Sequence, residues 1–197
     1  MKENNLLPYD GEALYLEKFL NESESNYYFK ALLETINWQS DQVKIFGKIN
    51  IMKRKTAWYG NAGLTYSYSG STKQPLPWTK ELLDLKALIE DASGKTFNSC
   101  LLNLYHDGDE GMSWHSDNEK ELGKNPTIAS VSLGAERRFV FKNKKTKETV
   151  AVILKSGSLL IMGGTTQDNW LHELPKTKKC SSPRINLTFR TIIPEAY

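Results

Sequence analysis

Arg184-Ile185-Asn186-Leu187-Thr188-Phe189-Arg190 alternates polar and apolar residues without a break. In an extended strand successive side chains point to opposite faces, so Arg184, Asn186, Thr188 and Arg190 share one side while Ile185, Leu187 and Phe189 share the other. Such a segment has one wet face and one dry one.

Upstream of it, from Phe97 onward, short segments of strand character follow one another at 97–105, 112–117, 127–133, 137–142, 149–154 and 158–162, with the last strand over 184–193. Their separators are rich in turn formers, as in Asp107-Gly108-Asp109 and Lys155-Ser156-Gly157. The lysine-rich run Lys142 to Lys147 reads as a hairpin turn. Two helices precede the strands. Over 21–37, Tyr28, Leu32, Leu33 and Ile36 recur at helical spacing behind the cap candidate Ser23. Over 79–93, Thr79 can cap the start, Leu82, Leu85, Ile89 and Ala92 form one stripe, and Gly94 supplies a stop. The segment 42–70, with four glycines among aromatics, reads as strands or loops laid over the mouth of the fold. The pattern predicts a mostly β, α+β protein: a sandwich or jelly roll with the helices backing one face.

At 197 residues the chain can bury one sizeable core, and no linker, repeat or low-complexity tract divides it. We therefore expect a single domain over 1–197, with helices and a covering lid over about 1–96 and the strand-rich core over about 97–197. Hydrophobic and charged contents of 39% and 25% are those of an ordinary folded protein. A formal charge of +3 is compatible with nucleic acid but too small to require it. Cys100 and Cys180 stand far apart, outside any Cys-x-x-Cys pattern, so neither a disulfide framework nor a thiolate metal site is indicated. No apolar run has the length of a signal peptide or a membrane span, which predicts an intracellular protein, cytoplasmic or nuclear, with no membrane partner.

The chemistry begins with His115-Ser116-Asp117, whose first and third residues fall on one face of a strand, and with the distant His172. Two imidazoles and a carboxylate can hold one face of a metal and leave the other open, as in non-haem Fe(II) oxygenases; the same ligands suit a catalytic zinc. The polar strand face narrows the choice. Arg184 and Arg190 are always charged, so they need an anion: Asp or Glu on a solvated sheet, or a ligand carboxylate matched to the planar guanidinium. Asn103 and Tyr105, two apart on the strand 97–105, can add hydrogen bonds. A 2-oxo acid with a second carboxylate, such as 2-oxoglutarate, chelates iron at one end and reaches an arginine at the other.

In chain order, Phe46-Gly47-Lys48, Arg54, the stretch Tyr59-Gly60-Asn61-Ala62-Gly63-Leu64-Thr65-Tyr66, Asn103-Leu104-Tyr105, His115-Ser116-Asp117, His172 and Arg184 to Arg190 resemble the AlkB family of Fe(II)- and 2-oxoglutarate-dependent dioxygenases, in particular its nucleic-acid dealkylating branch. The resemblance covers about 42–192. It implies a double-stranded β-helix with iron held by His115, Asp117 and His172, and 2-oxoglutarate held by Asn103, Tyr105, Arg184, Asn186, Thr188 and Arg190, with Arg184 on the far carboxylate. With O2 as second cosubstrate, it implies oxidative demethylation of 1-methyladenine and 3-methylcytosine in single- or double-stranded DNA, releasing formaldehyde, succinate and carbon dioxide, by a monomeric enzyme.

Chemistry on a base requires its extrusion from the stack. By the same resemblance Phe46, with Gly47, is a wedge that fills the gap, Tyr68 stacks on the base, Tyr66 and Ser69 lie beside it, and Lys48 and Arg54 contact phosphates. Glu119 would accept from the exocyclic amino group of adenine or cytosine. Asn118 stands where the family often has an acidic residue. The alternatives are the same chemistry on RNA, and a protein or small-molecule hydroxylase on the same scaffold.

Overall fold

The computed structural model describes residues 5–45, 48–68 and 71–193, with the side chains at 41–45, 48–50, 66–68 and 71–73 outside that description. In chain order the elements are β1 (Glu12–Leu16), α1 (Glu22–Thr35), β2 (Gln39–Ile45), β3 (Lys48–Gly60), β4 (Tyr66–Tyr68), β5 (Ser71–Lys73), α2 (Lys80–Ser93), β6 (Ser99–Tyr105), β7 (Met112–His115), β8 (Ile128–Gly134), β9 (Arg137–Asn143), β10 (Thr149–Leu154), β11 (Ser158–Gly163), α3 (Thr166–Asn169), β12 (Trp170–Leu174) and β13 (Arg184–Arg190). They form a large antiparallel sheet in the order β1-β11-β8-β13-β6-β3-β2, a smaller one in the order β10-β9-β12-β7, and the two-stranded β4-β5.

The alternation along β13 organises the large sheet. Its apolar residues Ile185, Leu187 and Phe189 are fully buried in one cluster with Cys100, Leu102 and Leu104 of β6, Val131 and Leu133 of β8, and Leu32, Leu82, Leu85 and Ile89 from α1 and α2. The dry face is therefore covered by the two helices, as expected. The other face is not wet in the sense of solvated: Arg184 and Thr188 are buried. It carries polar groups because it looks toward the interior of the fold. A second apolar cluster, including Phe141, Leu160, Met162 and Trp170, fills another part of that interior.

Local signals explain both helices, with two revisions. Asn21, not Ser23, caps α1: its side chain accepts from the Glu24 N–H at 2.9 Å while the Glu24 carboxylate accepts from the Asn21 N–H at 2.9 Å, a reciprocal capping box. Leu33 and Ala92, expected on the buried stripes, are exposed, since each stripe is narrower than its apolar content. On α2, Thr79 caps the start and Gly94, at φ 63°, ends the helix in the left-handed conformation.

The segment expected to lie over the mouth does more than cover it. The C-terminal half of β3 pairs with β6 from Lys55↔Leu104 to Gly60↔Ser99, and β1 pairs with β11, so strands from before residue 97 complete the large sheet. The lysine-rich run forms the β9–β10 turn, with Lys147 at φ 65°. Cys100 and Cys180 are free thiols.

Loss of the α1 cap in Asn21→Ala should lower unfolding free energy by about 1 kcal/mol in urea titration, whereas Ser23→Ala should change it by less than half of that.

Candidate metal centre and anion site

Register brings the two histidines together. His172 on β12 lies directly opposite His115 on β7, and their rings meet edge to face at 4.2 Å between centroids. Phe139 of β9 stacks on the other side of His172, at 5.4 Å. Asp117 lies just past the end of β7. Its Oδ2 is 4.0 Å from His172 Nε2, and one ligand atom from each of His115, Asp117 and His172 lies within 4.8 Å of the others.

The protonation pattern suits a cation. The Nδ1–H of His115 donates to the Ser113 carbonyl at 2.7 Å, which leaves Nε2 with its lone pair available. Burial pushes the His172 imidazole down to about 3, against the pull of Asp117, so it is neutral at physiological pH. Burial alone would raise the Asp117 carboxyl, but Arg190, whose Nη2 donates to Oδ1 at 2.6 Å, and the histidines bring it below its ordinary value. A neutral His172, a His115 ring whose Nδ1 is already engaged, and one carboxylate fit a divalent metal.

Behind the histidines stands the polar ladder. Arg184 faces Tyr105 across the β13–β6 pairing, and Asn186 faces Asn103 on β6 and Ser132 on β8. The Arg184 guanidinium is 2% exposed, donates to Ser132 Oγ at 2.9 Å, and lies over the Tyr105 ring at 5.4 Å. Burial lowers it to about 10, with Tyr105 opposing and the nearby Arg137 adding, so it stays charged. No carboxylate pairs with it among the described residues, and both its Nε and the Asn103 Oδ1 are buried without a hydrogen-bond partner. A cation that cannot shed its charge and has no internal counterion fits a ligand carboxylate. Asn186 Nδ2 donates to Ser130 Oγ at 2.8 Å, and Thr188 Oγ1 to Asn186 Oδ1 at 3.2 Å.

A cavity of about 470 Å³ opens onto two of the three candidate ligands, with His115, Asp117, Asn103 and Arg190 in its wall beside Leu101, Leu122, Trp58 and Glu119. Tyr105, Arg184, Asn186 and Thr188 take no part in its lining.

The expected substrate contacts divide three ways. Glu119 lines the cavity, whereas Asn118 is exposed and off its wall. Arg54, expected as a phosphate contact, is 7% exposed and lies in the cavity wall, with Nη1 donating to Met112 Sδ at 3.3 Å. Phe46, Gly47 and Ser69 lie outside the described residues, as do the side chains of Lys48, Tyr66 and Tyr68.

Ser130 and Ser132 were missed, although Ser130-Val131-Ser132-Leu133 alternates as β13 does. Gln167 and Lys144, which hold the His115–Asp117 segment, carry no signal in the sequence.

The model of the 2OG-Fe(II) oxygenase superfamily matches residues 12–190. The chain belongs to that superfamily. Its relatives place it in the AlkB-like branch: it is 40% identical to mouse DNA oxidative demethylase ALKBH2 over 183 residues, covering 87% of this chain and 77% of that protein. It is 42% identical to the human ALKBH2 (87% and 66%) and 40% identical to human alpha-ketoglutarate-dependent dioxygenase alkB homolog 3 (90% and 65%). The solved structure of OsALKBH1 shares the fold, with a TM-score of 0.65 at 17% identity over 94% of this chain and 99% of that one. The superfamily fold thus agrees with the double-stranded β-helix expected from the sequence.

If Arg184 is held for a ligand rather than for stability, Arg184→Met should leave the metal-free protein as stable as the wild type, or more stable by up to about 4 kcal/mol. Chemical denaturation measures this, and a loss above about 1 kcal/mol would make Arg184 a structural cation.

Proposed function

We propose that the chain is an oxidative demethylase of N-methylated bases in DNA, 1-methyladenine and 3-methylcytosine among them, dependent on Fe(II), 2-oxoglutarate and O2. One observation carries the reading: the candidate ligand triad includes His115 and Asp117 in the wall of a cavity of ligand size, and the strand whose Arg190 holds Asp117 also carries Arg184, a buried guanidinium with no carboxylate partner among the described residues. The relatives named DNA oxidative demethylase supply the substrate class.

In this reading His115 Nε2, an Asp117 oxygen and a nitrogen of His172 would hold the iron. Arg184 would take the far carboxylate of 2-oxoglutarate, with Tyr105 and Ser132 beside it and Asn103 offering a further hydrogen bond. When bound, the iron and its cosubstrate supply the oxidising power to hydroxylate an N-methyl group. The chain does the rest by placement. Arg190 neutralises and orients Asp117, while Leu101, Leu122 and Ile192 keep water from the reacting methyl. Glu119 would accept from the exocyclic N–H of the extruded base, and so fix which ring edge faces the metal. The hydroxymethyl product then breaks its C–N bond, formaldehyde leaves, and the base is restored. Every residue in this assignment comes from one chain, so a monomer suffices. No helix among the described residues is long and apolar enough to cross a membrane.

The test is incubation with Fe(II), 2-oxoglutarate and ascorbate, using oligonucleotides that carry 1-methyladenine or 3-methylcytosine, single- and double-stranded, as DNA and as RNA. Mass spectrometry should find the DNA lighter by one methylene per lesion. Asp117→Ala should abolish this, and Glu119→Leu should lower kcat/KM by about tenfold, the worth of a hydrogen bond to a charged group. Succinate release with every methylated DNA left intact would refute the proposal, and RNA turning over in its place would move it to the alternative substrate.

A further inference from the structure

His115 is fixed by its strand, but Asp117 is not: it lies beyond β7, buried, in a segment without ladder hydrogen bonds. A buried backbone N–H there needs a partner. It finds one fifty residues away, where the side-chain Oε1 of Gln167 accepts from the Asp117 N–H at 2.9 Å. Gln167 is 2% exposed. It sits on the single-turn α3, whose preceding residue in that turn, Thr166, ties the turn to β1. The Thr166 hydroxyl accepts from the Glu12 N–H at 2.8 Å and donates to the Gly163 carbonyl at 2.6 Å.

A second contact closes the arrangement. Lys144 Nζ donates to the Gln167 carbonyl at 2.7 Å and to Ser116 Oγ at 3.1 Å, and the Lys144 N–H donates to the Asn169 carbonyl at 2.8 Å. Each residue of His115-Ser116-Asp117 is thus held from a different direction: His115 by β12, Ser116 by Lys144, and the Asp117 backbone by Gln167. Arg190 holds only the carboxylate end of Asp117. With a single hold the side chain could swing about its Cα; a second hold at the backbone removes that freedom.

We infer that Gln167 and Lys144 are positioning residues for the metal site, acting through the backbone of Asp117 and the hydroxyl of Ser116 to set the carboxylate at ligand distance before any cation arrives. This rests on the metal-site reading above. Outer partners of this kind change metal affinity by about 10- to 100-fold when removed.

The experiment titrates the metal-free protein with Co(II) alone, reading the visible absorption bands, whose energies report coordination geometry. Gln167→Leu should weaken Co(II) binding by about tenfold or more and shift the bands. Lys144→Met should weaken it by a smaller factor, and Lys144→Arg should restore it. Ser158→Ala, which removes the hydrogen bond from a buried hydroxyl on β11 to the Lys155 carbonyl, should leave both affinity and spectrum unchanged. If Gln167→Leu does not fold, the half-buried Lys144 pair carries the test. Co(II) affinities within twofold of wild type in Gln167→Leu and Lys144→Met would overturn the inference while leaving the metal site standing, as would an equal loss in Ser158→Ala. A wild-type protein that takes up no Co(II) would overturn the metal reading and this inference together.

Discussion

The fold is arranged around a guanidinium that has no business being buried unless something anionic comes to it. Arg184 sits inside the protein beside one hydroxyl, one aromatic ring and a second buried guanidinium, that of Arg137, and no carboxylate pairs with it among the described residues. Desolvating a cation costs several kcal/mol that a serine hydroxyl does not return. The rest of the molecule makes such a position possible. The helices and the dry face of β13 supply the apolar burial, which leaves the opposite face of the same strand free to hold Arg184, Asn186, Thr188 and Arg190 toward the site.

The two ends of that ladder have different duties. Arg184 is held without a carboxylate partner among the described residues. Arg190, six residues on, is engaged with Asp117, so the strand that offers an anion socket also steadies the metal carboxylate. Placing both tasks on one strand couples their spacing: three repeats of the two-residue strand period separate Arg184 from Arg190, the residue that holds the Asp117 carboxylate, a distance set by backbone geometry. Gln167 of α3 and Lys144 of the β9–β10 turn complete the support.

Much of this was legible in the sequence because strand alternation is a local signal. The two-residue period of Arg184 to Arg190 announced a two-faced strand, and His115-x-Asp117 announced a shared direction. The capping of α2 by Thr79 and Gly94 is likewise written in adjacent residues. What escaped depends on pairing at a distance. Nothing near Gln167 signals that its amide meets the Asp117 backbone. Nor does anything beside Arg54 in the sequence signal that its side chain meets Met112 in the cavity wall. Alternation along β13 tells which residues share a face but not what that face meets, so Asp or Glu on a solvated sheet and a ligand carboxylate stay open as partners for Arg184 until its burial is seen. The choice among iron, zinc and a plain surface ion pair came from the joint pattern, and superfamily membership settles it for iron and 2-oxoglutarate.

The central claim is that Arg184 is kept buried and unpaired for the far carboxylate of the cosubstrate. Calorimetry on the Co(II)-loaded protein tests it most directly, by comparing 2-oxoglutarate with 2-oxopentanoate, which has the same carbon chain but ends in a methyl group. The account predicts that wild type binds 2-oxoglutarate at least about 100-fold more tightly, the worth of a buried charge pair, and that Arg184→Met brings the two affinities together. Equal binding of both acids by the wild type, or a preference that survives in Arg184→Met, would contradict it.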